Sequence, residues 1–135
     1  MSKRKSKGLS DTELLVMRGV WLAVERQGSL RTSELVKLIN EEFNQKYTYS
    51  SIVTYIERLE ARGYLKRDTV SNVALLIPLV SREEYAITII KEECETLFQG
   101  DRIAQLHAVL KANGISVEDL ARHLGNSGSS TDTDC

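Results

Sequence analysis

The chain changes its periodicity at Gly63, and that switch constrains the fold more than any other feature. Before it, in Y-T-Y-S-S-I-V-T-Y-I-E-R-L-E-A-R, residues Ile52, Tyr55, Ile56 and Leu59 recur at the three- and four-residue steps of a helix. Thr48 supplies an N-cap hydroxyl, and Gly63 stops the helix where a positive φ costs little. Directly after it, Tyr64-Leu65-Lys66-Arg67 begins an extended segment. The helix carries small hydroxyls (Ser50, Ser51, Thr54) on one face, and Arg58, Arg62, Lys66 and Arg67 trail it. Such a helix suits the DNA major groove, where hydroxyls reach base edges or phosphates and cations neutralise the backbone. An amphipathic surface helix with a solvated polar face has the same pattern.

The segments around it narrow the choice. Ser10 and Glu13 form a capping box, with Leu9 placed as a staple, and open a helix to about Arg26. Leu14, Met17, Val20, Trp21 and Val24 form its apolar face, with Trp21 as a core anchor. Ser29 to Thr32 reads as a short connection. A second helix follows from about Thr32 to Asn44, with Leu35, Leu38, Ile39 and Phe43 inward, and Gln45-Lys46-Tyr47 is a tight linker into the third helix. Two helices so joined make a helix-turn-helix, whose second member enters the groove. After Gly63, a strand at 64–67, a turn-like stretch at 68–72 and a β-rich run from Val73 to Val80 complete a winged helix.

Ser81 and Glu84 form a second capping box, and the helix they open runs to about Gln99. Asp101 caps a segment with Ile103, Leu106, Val109 and Leu110, and Ser116 caps a last short helix to Leu124. These helices are too few to bury their own apolar stripes, so a second copy of the chain is the expected cover, through Tyr85, Ile89, Ile90, Cys94, Leu97, Phe98, Ile103, Leu106 and Leu110. The expected fold class is mainly α with a small β-wing. It comprises a basic flexible arm (1–8), a winged helix-turn-helix domain (9–80), a C-terminal helical dimerisation domain (81–124) and a disordered tail (125–135).

Charge supports this division. Residues 1–67 hold thirteen Lys/Arg against eight Asp/Glu, a balance of +5; residues 68–135 hold five against eleven, a balance of −6; together they give the net −1. A basic half can meet a polyanion while the acidic half is kept away from it. The arm adds Lys3, Arg4, Lys5 and Lys7. The longest near-apolar run, Val73 to Val80, is too short to span a bilayer, and the N-terminal stretch has no apolar signal core. Cys94 and Cys135 form no CxxC pair, and neither they nor His107 and His123 have metal-ligand spacing, so a cytoplasmic chain without metal or cofactor is expected. There is no glycine-rich phosphate loop or nucleophile elbow, and no enzymatic activity is expected.

Three segments together resemble the penicillinase-repressor family, the BlaI/MecI/CopY repressors. They are L-S-D-T-E-L-L-V-M-R-G-V-W, Y-S-S-I-V-T-Y-I-E-R-L-E-A-R-G-Y-L-K-R and P-L-V-S-R-E-E-Y, within a match from about Leu9 to Leu110. The resemblance implies an N-terminal winged-helix DNA-binding domain, a helical dimerisation domain and repression through double-stranded operator DNA. It also implies induction through a sensor or protease that cleaves the dimerisation domain, or through metal exchange. The chain departs from the family pattern in four places. Ser50 and Val53 stand where Lys or Arg is usual, and the wing has Ala74, Leu75, Leu76 and Ile77 in place of an aromatic. Ala108-Val109 aligns with the Asn-Phe bond cleaved in the β-lactam branch, and Cys135 alone does not make the copper branch's paired Cys-x-Cys motifs.

The candidate DNA-contacting residues are therefore Thr48, Ser50, Ser51, Val53, Thr54, Arg58, Lys66 and Arg67. Val53 is placed for a thymine methyl or for packing on the first helix, and Arg58 for a phosphate or a glutamate neighbour. The leading function is a dimeric repressor that occludes promoter operators. A winged-helix protein–protein module, to which the changes at Ser50 and Val53 point, and a ligand-sensing regulator are the alternatives.

Overall fold

Five of the six helices among the described residues begin where a side chain accepts from a free N–H of the first turn. In the computed structural model, which describes residues 8–128, the order is α1 (Asp11–Gln27), α2 (Thr32–Glu42), α3 (Tyr49–Ala61), β1 (Leu65–Val70), β2 (Val73–Pro78), α4 (Arg82–Phe98), α5 (Arg102–Asn113) and α6 (Val117–Gly128). The molecule is mainly helical with a small two-stranded antiparallel sheet, a winged helix followed by further helices. Ser10 Oγ accepts from the Glu13 N–H at 3.2 Å, and Glu13 Oε1 from the Ser10 N–H at 3.0 Å. Ser81 and Glu84 repeat that box at 3.0 and 2.8 Å. Thr48 caps α3, Asp101 caps α5 and Ser116 caps α6. Arg31 starts α2 differently: its backbone N–H donates to Glu34 at 2.8 Å, and this bond, with burial opposing it, holds the Glu34 carboxyl below its ordinary range.

The chain divides into two units, 1–89 and 90–135, with the boundary inside α4. The expected boundary lay nine residues earlier, between 80 and 81. The difference has a physical cause in Tyr85, whose ring is 9% exposed and lies in the core of the first unit. It sits 5.9 Å from the Trp21 ring and 6.1 Å from that of Tyr64, in tilted and edge-on arrangements. Trp21 Nε1 donates to the Val80 carbonyl at 2.9 Å, and Ile89 packs against the same core. The first two turns of α4 therefore belong with the winged helix.

Within the first unit, Ile52, Ile56 and Leu59 of α3 are fully buried with Val16, Met17 and Val20 of α1 and Leu35 and Ile39 of α2. Gly19 lets α1 and α2 approach closely. A Cβ there would lie 2.9 Å from Leu35 Cδ1 and 3.0 Å from Ile39 Cγ1. Leu30, expected in a plain connection, is fully buried; its carbonyl accepts from the Leu76 N–H at 2.8 Å, and Arg31 bridges Leu75. That segment is a third edge of the wing sheet in miniature.

The hairpin is longer than the sequence suggests. β1 and β2 pair from Leu65↔Pro78 to Val70↔Val73, leaving Ser71-Asn72 as a two-residue turn. Both have positive φ, 52° and 67°, the combination whose twist matches that of the flanking strands. The stretch 68–70, read as loop from its polar composition, is strand because pairing continues to the turn. Likewise α6 continues to Gly128, four residues beyond the expected end at Leu124; two glycines raise the cost of a helix by about 1 kcal/mol each without forbidding it. The rest of the expected tail, with Cys135, and the expected arm before Gly8 lie outside the described residues.

Among the described residues of the second unit, Cys94 is the only buried hydrophobic side chain, at 5% exposed. Ile90, Leu97, Ile103, Leu106 and Val109 are exposed. Gln105 Nε2 donates to the Ile90 carbonyl at 2.8 Å. No helix among the described residues is long and apolar enough to cross a membrane.

Gly19→Val should destabilise the protein by about 2 kcal/mol or more, since the added carbons overpack two fully buried side chains. Denaturant unfolding measures this, and an unchanged midpoint would contradict the close approach of α1 and α2.

Candidate nucleic-acid interface

The buried stripe of α3 dictates what the opposite side shows. With Ile52, Ile56 and Leu59 inward, Ser50, Thr54, Glu57, Arg58 and Ala61 form a continuous outward face. Thr48 and Tyr49 lie exposed at its start, Tyr49 at 56%. Ser51 and Val53 are half-buried at its edges. All eight expected residues lie on α3, its cap or β1, and six of them are exposed.

The hydroxyls are already ordered among themselves. Thr48 Oγ1 accepts from the Ser51 N–H at 3.1 Å and donates to Ser51 Oγ at 3.0 Å, with Ser50 Oγ 3.3 Å away. Thr54 Oγ1 donates to the Ser50 carbonyl at 3.1 Å. With its proton so directed, Thr54 presents lone pairs outward and suits a base amino group or a bridging water.

α3 is held to α2 by a clamp the sequence did not reveal. The Asn40 side chain accepts from the Tyr47 N–H at 2.9 Å and donates to the Tyr47 carbonyl at 3.0 Å. The linker is six residues, 43–48, rather than the three expected, because α2 ends at Glu42 and Asn44 turns into the left-handed region at φ 55°. Tyr47 packs against the core, while Tyr49 is free to reach outward.

The cations divide into two sets. Arg58 lies 5.0 Å from the centre of the Tyr55 ring, and neither it nor exposed Lys66 makes an ion pair among the described residues. Arg67, expected to meet phosphate, donates from Nε and NH2 to the two Glu60 oxygens at 3.0 and 2.8 Å, with Glu57 at 4.0 Å. The hydrogen bonds to Glu60 hold its pKa above the ordinary arginine value. This fork ties β1 to α3. Arg62 is likewise occupied, donating to Glu13 at 2.7 Å. The acidic Glu57 on the outward face was not among the expected contacts, although its spacing from Ser50 and Thr54 places it there.

The residues expected at a dimer face also divide. Ile90, Leu97, Ile103 and Leu106 are exposed, Phe98 and Leu110 half-buried, and Cys94 buried within the second unit. Tyr85 lies in the core of the first unit, and Ile89 packs against that core. Their apolar spacing on α4 is the same as that of the exposed residues, so periodicity alone did not separate the two roles. Ala108 and Val109 are exposed in the middle of α5. Among the described residues no three His, Cys, Asp or Glu side chains gather as metal ligands.

Glu60→Gln distinguishes two roles for Arg67 by sign. If the Glu60 fork orients the wing, duplex binding should fall by about tenfold, or about 1.4 kcal/mol. Binding that rises instead would mark Arg67 as a phosphate ligand restrained by Glu60. Fluorescence anisotropy with a labelled duplex measures either outcome.

The family model described as penicillinase repressor matches residues 9–124. No curated protein gives a significant match. Among solved structures, the chain is similar to the monomeric form of BlaI of Bacillus licheniformis in complex with the blaP half-operator. Identity is 25%, the match covers 62% of this chain and 94% of that chain, and the TM-score is 0.46.

Proposed function

The chain belongs to the penicillinase repressor family, and from that premise we propose that it is a dimeric DNA-binding transcriptional repressor whose winged helix occludes promoter operators. The observation that carries this reading is the single match over 9–124, which spans the winged helix and the helices after it. Three features support it. α3 presents ordered hydroxyls on the face away from its core, Arg58 and Lys66 are available for phosphates, and the apolar side chains of the second unit need cover that the unit does not supply.

In the proposed complex α3 enters the major groove. Ser50 and Thr54 read base edges or the waters on them, and Val53 meets a thymine methyl at the edge of the face. Thr48, Ser51, Tyr49, Arg58 and Lys66 engage the backbone and set the register. Two copies joined through Ile90, Leu97, Ile103 and Leu106 present two recognition helices to half-sites about 34 Å apart, one helical turn of DNA. Polymerase and repressor then compete for the same promoter segment. Relief of repression through a sensor or protease is part of the proposal, and the genomic neighbours of this gene are its cheapest test. A protease acting at Ala108-Val109 would first have to open α5, since both residues lie within the helix.

One observation favours a second reading, a winged-helix module for protein partners. Arg62 and Arg67 are occupied by acidic groups, and Glu57 faces outward. Selection of bound genomic fragments decides between them. Retention of discrete fragments, lost steeply with salt, is expected of the repressor; retention of none at low salt would falsify it and leave the protein module.

Thr54→Ala with Arg58→Ala should weaken binding to a selected fragment by about tenfold or more. Arg58→Ala alone should make the salt dependence shallower by about 0.9 in log–log slope. The assembly has its own test. Sedimentation should show a dimer at micromolar concentration, and Ile103→Asp with Leu106→Asp should give a monomer; a monomeric unmodified protein refutes the proposed interface.

A further inference from the structure

The outward face of α3 has a narrow centre. At about 100° per residue, Ser50, Thr54, Glu57 and Ala61 fall within a strip about 60° wide, with Arg58 at its margin. Glu57 is the only charged side chain in that strip. It stands three residues beyond Thr54, about 4.5 Å along the helix axis, close to one base-pair step of about 3.4 Å. A helix that sets Thr54 against one base edge therefore sets Glu57 near the next.

Both side chains offer acceptors there and no donor. Thr54 Oγ1 directs its proton to the Ser50 carbonyl at 3.1 Å, and an ionised carboxylate has no proton to give. The Glu57 side chain is 60% exposed, and its ion-pair contact is with Arg67 NH2 at 4.0 Å. That distance is too long for a hydrogen bond, whereas the same guanidinium meets Glu60 at 3.0 and 2.8 Å. A glutamate placed to hold Arg67 would stand within hydrogen-bond reach of it, as Glu60 does. Glu57 instead keeps its acceptor sites, while the guanidinium nearby offsets part of its charge. The offset matters in a groove between two rows of phosphates, where an unaccompanied carboxylate is repelled.

Two base groups donate in the major groove, cytosine N4 and adenine N6. Adenine carries its N7 acceptor beside N6, and that lone pair repels a carboxylate. Cytosine has no acceptor of its own beside N4 on this edge. Guanine and thymine present O6 and O4, both acceptors. We propose that Glu57 is a specificity-determining residue of the recognition helix: its carboxylate accepts from a cytosine N4 amino group one base step from the pair met by Thr54, and so selects half-sites with cytosine at that place. This deepens the DNA-binding reading above and rests on it.

The test is selection from a randomised duplex library with the full chain, followed by affinity measurements on one selected duplex. The unmodified protein should return a fixed cytosine at one position of each half-site. Glu57→Ala should keep the other positions and lose the preference at that one. Glu57→Gln should turn it towards adenine, whose N6 and N7 an amide matches. Glu57 is exposed, so neither substitution disturbs the core. On the selected duplex, changing that pair from C·G to T·A puts the O4 acceptor where N4 stood. The unmodified protein should lose about tenfold or more in affinity, and Glu57→Ala less than about threefold. Equal losses in the two proteins overturn the proposal. So does a Glu57→Ala selection that matches the unmodified one at every position. If the unmodified protein retains no duplex at low salt, the DNA-binding reading itself falls, a result distinct from either.

Discussion

The closeness of α1 and α2 at Gly19 governs the geometry of everything built on them. With no side chain at that point, Leu35 and Ile39 seat directly on α1. The groove so formed accepts only a narrow apolar stripe, and Ile52, Ile56 and Leu59 fill it. α3 has little rotational freedom left, and its polar side is turned outward as a consequence of core packing. The caps at Thr48 and the Asn40 clamp on Tyr47 then fix where along its length the helix begins.

What was legible in the sequence was local. Capping boxes, the stop at Gly63 and the apolar spacing of α1 to α3 are short-range patterns, and the element order follows from them. The missing parts depend on contacts between distant segments. Nothing near Leu30 announces that its carbonyl will meet Leu76, and nothing near Asn40 marks it as the partner of Tyr47. Tyr85 shares its helical spacing with residues that remain exposed, and only Trp21 and Tyr64, far away in sequence, draw it into the core. The same holds for charge. Arg67 reads as a free cation until Glu60, the penultimate residue of α3, is placed beside it.

The electrostatics of the candidate site therefore differ from a count of basic residues. The first half of the chain is basic, yet two of the arginines that trail α3 serve to join elements. Arg67 forks onto the Glu60 carboxylate, and Arg62 divides its two terminal nitrogens between the Glu13 carboxylate and the Gly8 carbonyl; a lysine would hold either place less firmly. The cations left over, Arg58 and Lys66, flank a face whose polar groups are chiefly hydroxyls. In the proposed complex such a surface would rely on shape, register and water as much as on strong bidentate base contacts.

The thin interior of the second unit has a consequence for quantity as well as for structure. Chain segments whose apolar side chains find shelter only outside themselves owe their order to mass action. In a dimer joined as proposed, the melting temperature of the second unit would vary with how much protein is present, while that of the well-packed first unit would not. Dilution would then unfold the second unit before the first, and the number of binding-competent dimers would fall more steeply than concentration alone.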